Sequence, residues 1–412
     1  MQTSASSSIV IVGAGHCGGR TAMLLREMGW AGDIHLVGDE PGLPYERPPL
    51  SKEVLTGAKQ PQELDLLSEE AMQALAVQRH LARVTAVDAQ ARTAQLSTGS
   101  TLSYHALLFA NGGSPRALPI AGAELPQVLC LRTKQDAQCL APYLKEGARL
   151  VVIGGGFIGL EVAASARKAG CHVSLVEGAP QLMGRAVPAL LAARAQAVHQ
   201  AKGVALHMGA SPLHITPQGN GVQVGLSDGT TLTADAVVVG IGIIPGTAVA
   251  QAAGVQVARG IVVDAQLRTN VPGIYAAGDV AEFPSPVSGA LQRQETWQNA
   301  ESQARVAAAN LMGGSAVFNA SSWFWSDQYE YQLQVSGEPA AAVHTVVREQ
   351  EDGDVLVFYT DASNKLVGAC GFGQTSRIAK DLKIARTLVE RGVSASADVL
   401  ADPATKLKSL LK

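Results

Sequence analysis

The chain is poor in the residues that mark several protein classes. Its five cysteines, at positions 17, 130, 139, 171 and 370, show no C-x-x-C pair and no metal-like spacing. We therefore expect reduced structural thiols, with no iron–sulfur cluster, structural zinc or other metal site. Aromatic residues make up only 4% of the chain. The net charge of −3 offers no overall attraction to nucleic acid or to anionic lipid.

Long apolar runs are also missing. The longest, around DAVVVGIGIIPG, spans roughly half of the ~20 residues that a membrane helix needs. The first residues, MQTSASSS, lack the basic segment and apolar core of a secretory signal. We expect a cytoplasmic protein with no membrane association.

What the chain does contain is typical of a nucleotide-binding α/β enzyme. Its 412 residues are 47% apolar and include 43 glycines, which suits buried parallel strands and two or three domains. A strand, a glycine-rich turn, a helix and a second strand follow one another near the N-terminus, and the same series returns at ARLVVIG. Beyond residue 323, short antiparallel strands and a helical tail from Ser376 are predicted.

Two glycine fingerprints stand at the turns of these repeats. The first is Gly13-x-Gly15-x-x-Gly18, followed by Asp39 and Glu40; the second is Gly154-x-Gly156-x-x-Gly159, followed by Glu177. Each follows a strand and opens a helix whose N-terminus can bind a pyrophosphate, and each has an acid placed for a ribose hydroxyl. Two dinucleotide sites are predicted. One working site beside a non-functional repeat stays open as the alternative.

Two further segments separate the roles of the sites. TNVPGIYAAGDVAE, with Asp279, resembles the second flavin-binding motif of two-dinucleotide flavoprotein reductases. ALLFANGGSPR resembles their short strand-and-turn segment, with Asn111 where threonine is usual. These resemblances assign FAD to the first fingerprint and NAD(P) to the second.

PYERPPLSK, GGGFIGLEVAA, YAAGD, RQETWQNAESQ and WFWSDQY extend the likeness over nearly the whole chain. The sequence resembles the FAD-dependent, NADH-oxidising ferredoxin reductases of bacterial Rieske ring-hydroxylating dioxygenases and haem monooxygenases. The likeness is strongest to the reductase component of biphenyl-type dioxygenases. The resemblance implies a glutathione reductase-like fold, with a discontinuous FAD domain (1–113 and 247–323), an NAD domain (114–246) and a C-terminal α+β domain (324–412).

The resemblance also implies site residues. The expected FAD contacts are Gly13, Ala14, Gly15, Asp39, Glu40, Arg47, Lys52, Val84, Ala110, Asn111, Gly112, Arg132, Gly278, Asp279, Glu295, Thr296, Trp297 and Trp325. The expected NADH contacts are Gly156, Phe157, Ile158, Gly159, Glu161, Glu177, Arg185 and Gly242.

Four of these residues are predicted to serve catalysis: Lys52, Glu161, Trp297 and Trp325. Lys52 and Glu161 are expected to form an ion pair that orients the nicotinamide, with a purely structural pair as the alternative. The tryptophans are expected to form a flavin-facing wall, with ordinary core packing as the alternative. Glu177 favours NADH because a carboxylate repels the 2′-phosphate of NADPH. Arg185 could hold that phosphate or the pyrophosphate.

The expected reaction is hydride transfer from NADH to FAD, then single-electron transfer to a 2Fe–2S ferredoxin that feeds a terminal oxygenase of aromatic hydrocarbon catabolism. The helix after the first fingerprint carries no C-x4-C dithiol, which favours direct electron transfer from the flavin. The segment from Arg377 holds eight basic and four acidic residues, so it is a candidate basic face for an acidic ferredoxin, or a solvated helix.

Other functions remain open from the sequence alone. They are an NADH oxidase, a peroxidase-like or rubredoxin reductase-like flavoenzyme, and a non-catalytic flavoprotein that senses NADH. Monomer and homodimer are both compatible with the sequence.

Overall fold

The computed structural model describes residues 7–184, 186–350 and 353–411. Its α-helices are α1 His16–Glu27, α2 Glu69–Ala74, α3 Lys134–Leu140, α4 Phe157–Lys168, α5 Ala189–Ala201, α6 Ala248–Ala252, α7 Trp297–Leu311, α8 Thr375–Glu390 and α9 Ala397–Ala401. Its strands are β1 Ser8–Val12, β2 Asp33–Gly38, β3 Gln78–Leu81, β4 Val84–Asp88, β5 Thr93–Leu96, β6 Thr101–Ser103, β7 Ala106–Phe109, β8 Gly113–Pro115, β9 Val128–Leu129, β10 Arg149–Ile153, β11 His172–Glu177, β12 Ala205–Met208, β13 Pro212–Gln218, β14 Gly221–Leu226, β15 Thr231–Ala234, β16 Ala236–Val239, β17 Ile243–Pro245, β18 Ile261–Val262, β19 Ile274–Ala276, β20 Ala281–Pro284, β21 Leu291–Gln292, β22 Trp323–Gln328, β23 Tyr331–Gly337, β24 His344–Glu349, β25 Val355–Thr360 and β26 Leu366–Gln374.

The chain divides into two compact units. The first consists of residues up to Arg47, with Gln62–Ser114 and Ile244–Ala320. The second consists of Pro48–Pro61, Pro115–Ile243 and the residues from Ser321 onward. Each unit therefore contains one of the two glycine fingerprints.

The first unit is built on a parallel sheet of five strands in the order β19-β7-β1-β2-β3. The central strand β1 and its neighbour β7 are apolar and buried along almost their whole length, as expected for strands covered on both faces. The helices α1 and α7 pack against each other. A small antiparallel sheet, β4-β5-β6, and a small mixed sheet, β18-β20-β21, also belong to the unit.

The second unit repeats the plan and adds a further sheet. Its parallel sheet has the order β12-β11-β10-β16-β9, with β10 in the centre, and β13-β14-β15 form an antiparallel sheet. The C-terminal part is an antiparallel sheet, β22-β23-β26-β25-β24, against which α8 packs. The predicted antiparallel strands and helical tail are present. None of the helices among the described residues has the length and apolar character needed to cross a membrane.

Two glycines explain why α1 lies so close to β1. Gly13 has φ +111°, and a Cβ at that position would lie 2.4 Å from the Ala110 carbonyl oxygen. A Cβ on Gly18 would lie 1.9 Å from the Gly13 carbonyl oxygen. Since neither position can hold a side chain, the sequence pattern is required by the packing of strand and helix. This contact places the helix N-terminus at the carboxyl end of the sheet.

Candidate dinucleotide sites

The first glycine turn is open at its middle glycine. Gly15 is the N-cap of α1 and makes no side-chain capping bond, so backbone N–H groups of the first turn are available to a ligand. A Cβ on Gly15 would meet only Arg47 Nη2, at 3.7 Å. This geometry leaves room for a pyrophosphate beside the partial positive charge of the helix end.

Of the two acids at the end of β2, Glu40 lines a cavity of about 240 Å³, together with Ala14. Glu40 accepts hydrogen bonds from the Tyr45 hydroxyl and from Arg47 Nη2, each at 2.5 Å. Asp39 is more exposed and accepts a hydrogen bond from Arg83 Nε at 2.7 Å. Glu40 is therefore held in place at the cavity, whereas Asp39 is engaged in a surface ion pair.

Several buried polar atoms on the helices that flank this turn have no hydrogen-bond partner among the described residues. They include His16 Nδ1 on α1, and Asn299 Oδ1 and Gln303 Nε2 on α7. Buried polar groups are nearly always hydrogen-bonded, so these atoms fit a bound group that carries both donors and acceptors. The first unit thus fits a dinucleotide such as the predicted FAD.

Other residues predicted for FAD lie at the ends of the central strands of this unit. Ala110 follows β7 and is buried, and Asn111 Nδ2 donates to the Gly246 carbonyl oxygen at 2.7 Å. Gly112 and Gly278 both have positive φ. The Gly278 N–H donates to Gln303 Oε1 at 2.7 Å, and Asp279 follows it in a short 3₁₀ turn. Asn111, which stands where threonine is usual in the similar reductases, thus makes a hydrogen bond within the protein.

Three more of the predicted residues lie at the N-terminal end of α7. Thr296 is its N-cap, and its side chain accepts from the Asn299 N–H. Trp297 Nε1 donates to Glu46 Oε1 at 3.1 Å, and its ring lies 5.4 Å from that of His16. Glu295 pairs with Arg293 at 2.5 Å.

The remaining predicted FAD residues are Val84 in the first unit and three residues of the second unit. Val84 begins β4 and is buried in the core of the first unit. Arg132, Lys52 and Trp325 belong to the second unit. Arg132 lies just before α3, where its backbone N–H donates to Asp136 Oδ2 at 2.9 Å.

The second turn has the same geometry as the first. Gly154 has φ +109°, and a Cβ there would lie 2.4 Å from the Gly240 carbonyl oxygen. Gly156 is the N-cap of α4, and a Cβ there would meet no atom of the described residues within 4 Å. Gly159 packs against Gly154 as closely as Gly18 packs against Gly13. The turn therefore also leaves an open cradle at its middle glycine, which fits a second dinucleotide.

The side chains that follow this turn differ in exposure. Phe157 packs edge-on against Phe324 with a centroid separation of 5.0 Å, and Ile158 is 45% exposed. Gly242 has φ +93° and its carbonyl oxygen accepts from the Arg116 N–H. Arg185 lies outside the described residues.

Glu177 is engaged by the protein backbone through both carboxylate oxygens. Its Oε2 accepts from the Gly155 N–H and its Oε1 from the Ala179 N–H, each at 2.7 Å. These bonds hold the carboxylate against the second turn. Each carboxylate oxygen has a further lone pair, so the side chain can still accept from a ribose hydroxyl.

Glu161 is the centre of a buried polar cluster in the second unit. Its Oε2 accepts from the Ser51 hydroxyl at 2.5 Å and its Oε1 from the Ser326 hydroxyl at 2.8 Å. Lys52 Nζ lies 3.8 Å from Oε1, so the predicted ion pair of Lys52 and Glu161 is present. Burial raises the pKa of Glu161, while Lys52 and the two hydroxyls oppose that shift.

Lys52 has a nearer partner that the sequence interpretation missed. Its Nζ lies 3.2 Å from Asp327 Oδ2, which also accepts from Trp325 Nε1 at 3.0 Å. Ser51 adjoins Lys52 in the motif PPLSK, Ser326 adjoins Trp325 in WFWSDQ, and Asp327 lies two residues after Trp325. This closeness to predicted site residues was the available signal for the three. His16 lies inside the first fingerprint and was also missed, because roles were assigned there only to Gly13, Ala14 and Gly15.

The basic residues of the C-terminal segment divide into engaged and exposed side chains. Arg377 pairs with Asp354, and Arg386 pairs with Glu390 and lies over the Trp323 ring. The exposed lysines are Lys380, Lys383, Lys406 and Lys408, and Lys412 lies outside the described residues.

Comparisons with known proteins agree with this geometry. Residues 7–304 match the family described as "Pyridine nucleotide-disulphide oxidoreductase", and residues 323–411 match "Reductase C-terminal". The chain is 40% identical over 404 residues to the ferredoxin–NAD(+) reductase component of the p-cumate 2,3-dioxygenase system of Pseudomonas putida, with 98% of each chain covered. It is 34% identical to the corresponding component of the biphenyl dioxygenase system of Paraburkholderia xenovorans (strain LB400), again with 98% of each covered.

A solved structure is similar over the same extent. The reductase chain in the crystal structure of the covalent putidaredoxin reductase–putidaredoxin complex is 35% identical and superimposes with a TM-score of 0.93, with 99% of each chain covered. The predicted two-dinucleotide fold and the predicted family are confirmed. The likeness extends across several dioxygenase systems and is not restricted to the biphenyl type.

Proposed function

Because the chain belongs to the pyridine nucleotide-disulphide oxidoreductase family, we propose that it is an FAD-dependent NADH:ferredoxin reductase. It passes electrons from NADH to a 2Fe–2S ferredoxin that feeds a Rieske-type aromatic-ring dioxygenase. The observation that carries the proposal is the open glycine turn, which is built twice with the same backbone geometry, at Gly13–Gly15 and at Gly154–Gly156. Relatives named as ferredoxin–NAD(+) reductase components support it over the whole length.

The FAD and NADH contacts named from the sequence are part of this proposal, and so are the domain boundaries at 113/114, 246/247 and 323/324. The orphaned atoms of His16, Asn299 and Gln303 support the assignment of FAD to the first unit. We place the protein in the cytoplasm.

Bound FAD would supply the conversion between two-electron and one-electron chemistry, by taking a hydride from NADH and releasing its electrons singly. The protein supplies binding and orientation. Backbone N–H groups of α1 and α4 would bind the two pyrophosphates, and Glu40, at the end of β2, would accept a hydrogen bond from a ribose hydroxyl.

The cluster around Lys52 orients the nicotinamide in this proposal. Glu161 is the fifth residue of α4, just beyond the opening turn that follows Gly156, and Lys52 places a positive charge beside it. Burial of Glu161 strengthens that interaction because few water molecules screen it. Trp325 places an aromatic wall beside the same lysine.

The preference for NADH rests on Glu177. Its carboxylate is held against the second turn by two backbone N–H groups, so it cannot move away from a 2′-phosphate without breaking them. Electrostatic repulsion at a fixed carboxylate disfavours NADPH.

The partner surface in this proposal is the C-terminal segment. The exposed lysines of α8 and of residues 406–408 would steer an acidic ferredoxin to this surface, and the association rate would fall as salt is added. The covalent complex of the similar reductase with putidaredoxin supports a ferredoxin as the class of partner.

The state of Cys17 argues against a peroxidase-like reaction. Cys17 is buried, and burial raises the pKa of its thiol, with Asp279 and Glu301 raising it further. A protonated thiol is a poor nucleophile. The cysteine nearest to the first fingerprint therefore lacks the thiolate that a peroxidatic reaction needs.

The test is an anaerobic titration of the purified protein with NADH and, separately, with NADPH. We expect a yellow protein with one FAD that is bleached by about one equivalent of NADH, and far less readily by NADPH. Bleaching followed by oxidation only by O₂, and not by a 2Fe–2S ferredoxin, would favour the oxidase. A protein without flavin would contradict both assignments.

A further inference from the structure

A row of polar and aromatic side chains lies on one face of the C-terminal sheet. Alternate residues of a strand point to the same face, which groups Trp323, Trp325 and Asp327 on β22. In the antiparallel register Trp325 lies opposite Gln334 and Asp327 opposite Gln332, so these two amides share that face. The two indole rings stack at 4.9 Å with an interplanar angle of 19°.

A continuous chain of hydrogen bonds connects the two indoles. Trp323 Nε1 donates to Gln334 Oε1 at 3.0 Å, and Gln334 Nε2 donates to Gln332 Oε1 at 2.8 Å. Gln332 Nε2 donates to Asp327 Oδ1 at 3.0 Å, and Trp325 Nε1 donates to Asp327 Oδ2 at 3.0 Å. We call these five side chains the indole ladder.

The donor count explains why Asp327 stands in this ladder. An indole N–H can only donate, and a side-chain amide passes on one donor for each acceptor it uses. A chain that begins and ends with a donor therefore needs one member that accepts from both sides. The Asp327 carboxylate is that member. The need for this member does not depend on how the two side-chain amides are oriented. If both amides are turned over, two N–H groups only meet at a different point of the chain.

The same carboxylate holds Lys52. Asp327 Oδ2 lies 3.2 Å from Lys52 Nζ, whereas Glu161 Oε1 lies 3.8 Å from it. The ammonium also lies 5.4 Å from the centroid of the Trp325 ring, within the range of a cation–π contact. Lys52 is 14% exposed, and its position is set by two carboxylates and one indole.

We propose that Asp327 is a positioning residue of the NADH-oxidising site, which holds the Lys52 ammonium and fixes both indoles through the indole ladder. The inference rests on the proposed function, because it assigns Asp327 a role in the orientation of nicotinamide by Lys52. An amide in place of the carboxylate presents an N–H to either Gln332 or Trp325, where it meets another N–H. Lys52 then keeps Glu161 as its acidic partner and moves toward it.

The experiment compares D327N with the wild type and with D398N. Asp398 is an exposed aspartate of the same C-terminal segment, so it controls for the Asp-to-Asn change. The chain has four tryptophans, and ¹⁵N-labelled tryptophan gives one indole N–H signal for each. We expect the signals of Trp323 and Trp325 to shift in D327N, while those of Trp30 and Trp297 stay in place.

The kinetic readout is flavin reduction by NADH in stopped flow. We expect the limiting rate to fall about tenfold in D327N, with the apparent NADH affinity changed less than about threefold, since Asp327 acts through Lys52 and not on NADH. Q332L breaks the ladder on the Trp323 side alone, so we expect it to shift the Trp323 signal and to leave the Trp325 signal in place. D327E keeps a carboxylate, so we expect its limiting rate to lie between those of D327N and the wild type. It is also the variant to measure if D327N does not fold.

Three outcomes are distinguishable. Shifted indole signals together with a slow limiting rate in D327N, and a partial recovery in D327E, support the positioning role. Indole signals and a limiting rate equal to those of the wild type would overturn it. A wild type that NADH does not reduce would contradict the proposed function, and the role of Asp327 would fall with it.

Discussion

The two glycines of the second turn provide a matched pair of substitutions that separates folding from binding. Gly154 has φ +109°, and an added Cβ would lie 2.4 Å from the Gly240 carbonyl oxygen. Gly156 has φ −79° and ψ −178°, and an added Cβ would meet no atom of the described residues within 4 Å. Gly154→Ala should therefore disturb the fold, whereas Gly156→Ala should disturb only what binds there.

The expected magnitudes follow from these contacts. Gly154→Ala adds backbone strain and a steric clash, which together cost about 2–4 kcal/mol of the free energy of unfolding. Gly156→Ala loses a few tenths of a kcal/mol at the N-cap, roughly offset by the lower entropy of the unfolded chain. Its methyl group occupies the space through which a pyrophosphate approaches the backbone N–H groups, so the KM for NADH should rise at least about tenfold, or roughly 1.4 kcal/mol.

The assay combines the unfolding midpoint, the FAD content and the steady-state KM for NADH with ferricyanide as acceptor. Gly156→Ala should keep its midpoint and its FAD and lose NADH affinity. Gly15→Ala, the same change in the first turn, should instead lose FAD. A Gly156→Ala protein with wild-type stability and a KM within about twofold of the wild type would refute this interpretation of the second turn.

Further predictions concern the buried titratable groups and Glu177. Hydrogen bonding from His16, together with Arg20, lowers the pKa of Glu301 to about 2, so Glu301 stabilises the first unit above pH ~4.5 and this contribution is lost as the pH falls toward 2. Because the side chain is partly exposed, the loss should be at most about 2 kcal/mol. In E301Q the unfolding midpoint should therefore depend less steeply on pH in the acid range. Burial lowers the pKa of His199 to about 4, so its contribution of up to about 3 kcal/mol is present above pH ~6.5 and lost between there and pH 4. A H199Q protein whose acid unfolding matches the wild type would contradict that assignment. E177Q turns an amide N–H toward the N–H of Gly155 or Ala179, so we expect a lower unfolding midpoint and a raised KM for NADH; an unchanged midpoint would show that these backbone bonds contribute little.

The sequence was sufficient for the parts of the molecule that depend on local pattern. Each fingerprint lies within about 25 residues of its acid, and the strands and helices around it have the expected periodicity. Gly13 and Gly154 must be glycine because of backbone geometry that a short motif already encodes. The order of elements, the two turns and the antiparallel C-terminal sheet were therefore predictable.

The contacts of the catalytic candidates were harder to predict from the sequence. Glu161 meets Ser51 and Ser326, which lie 110 and 165 residues away along the chain, and no local pattern reports such a contact. The sequence predicted the pairing of Lys52 with Glu161 but not the shorter contact with Asp327. The two hydrogen bonds that Glu177 accepts from the backbone were likewise not predictable, because they depend on where two N–H groups point.

The most direct test of the central claim is the electron stoichiometry with a 2Fe–2S ferredoxin. The protein, reduced anaerobically with one equivalent of NADH, is mixed in stopped flow with excess oxidised ferredoxin, and flavin and iron–sulfur absorbance are followed together. We expect two ferredoxins to be reduced for each NADH consumed, at rates that fall as salt is added. Flavin that is reduced by NADH but leaves the ferredoxin oxidised would contradict the proposed ferredoxin reductase activity.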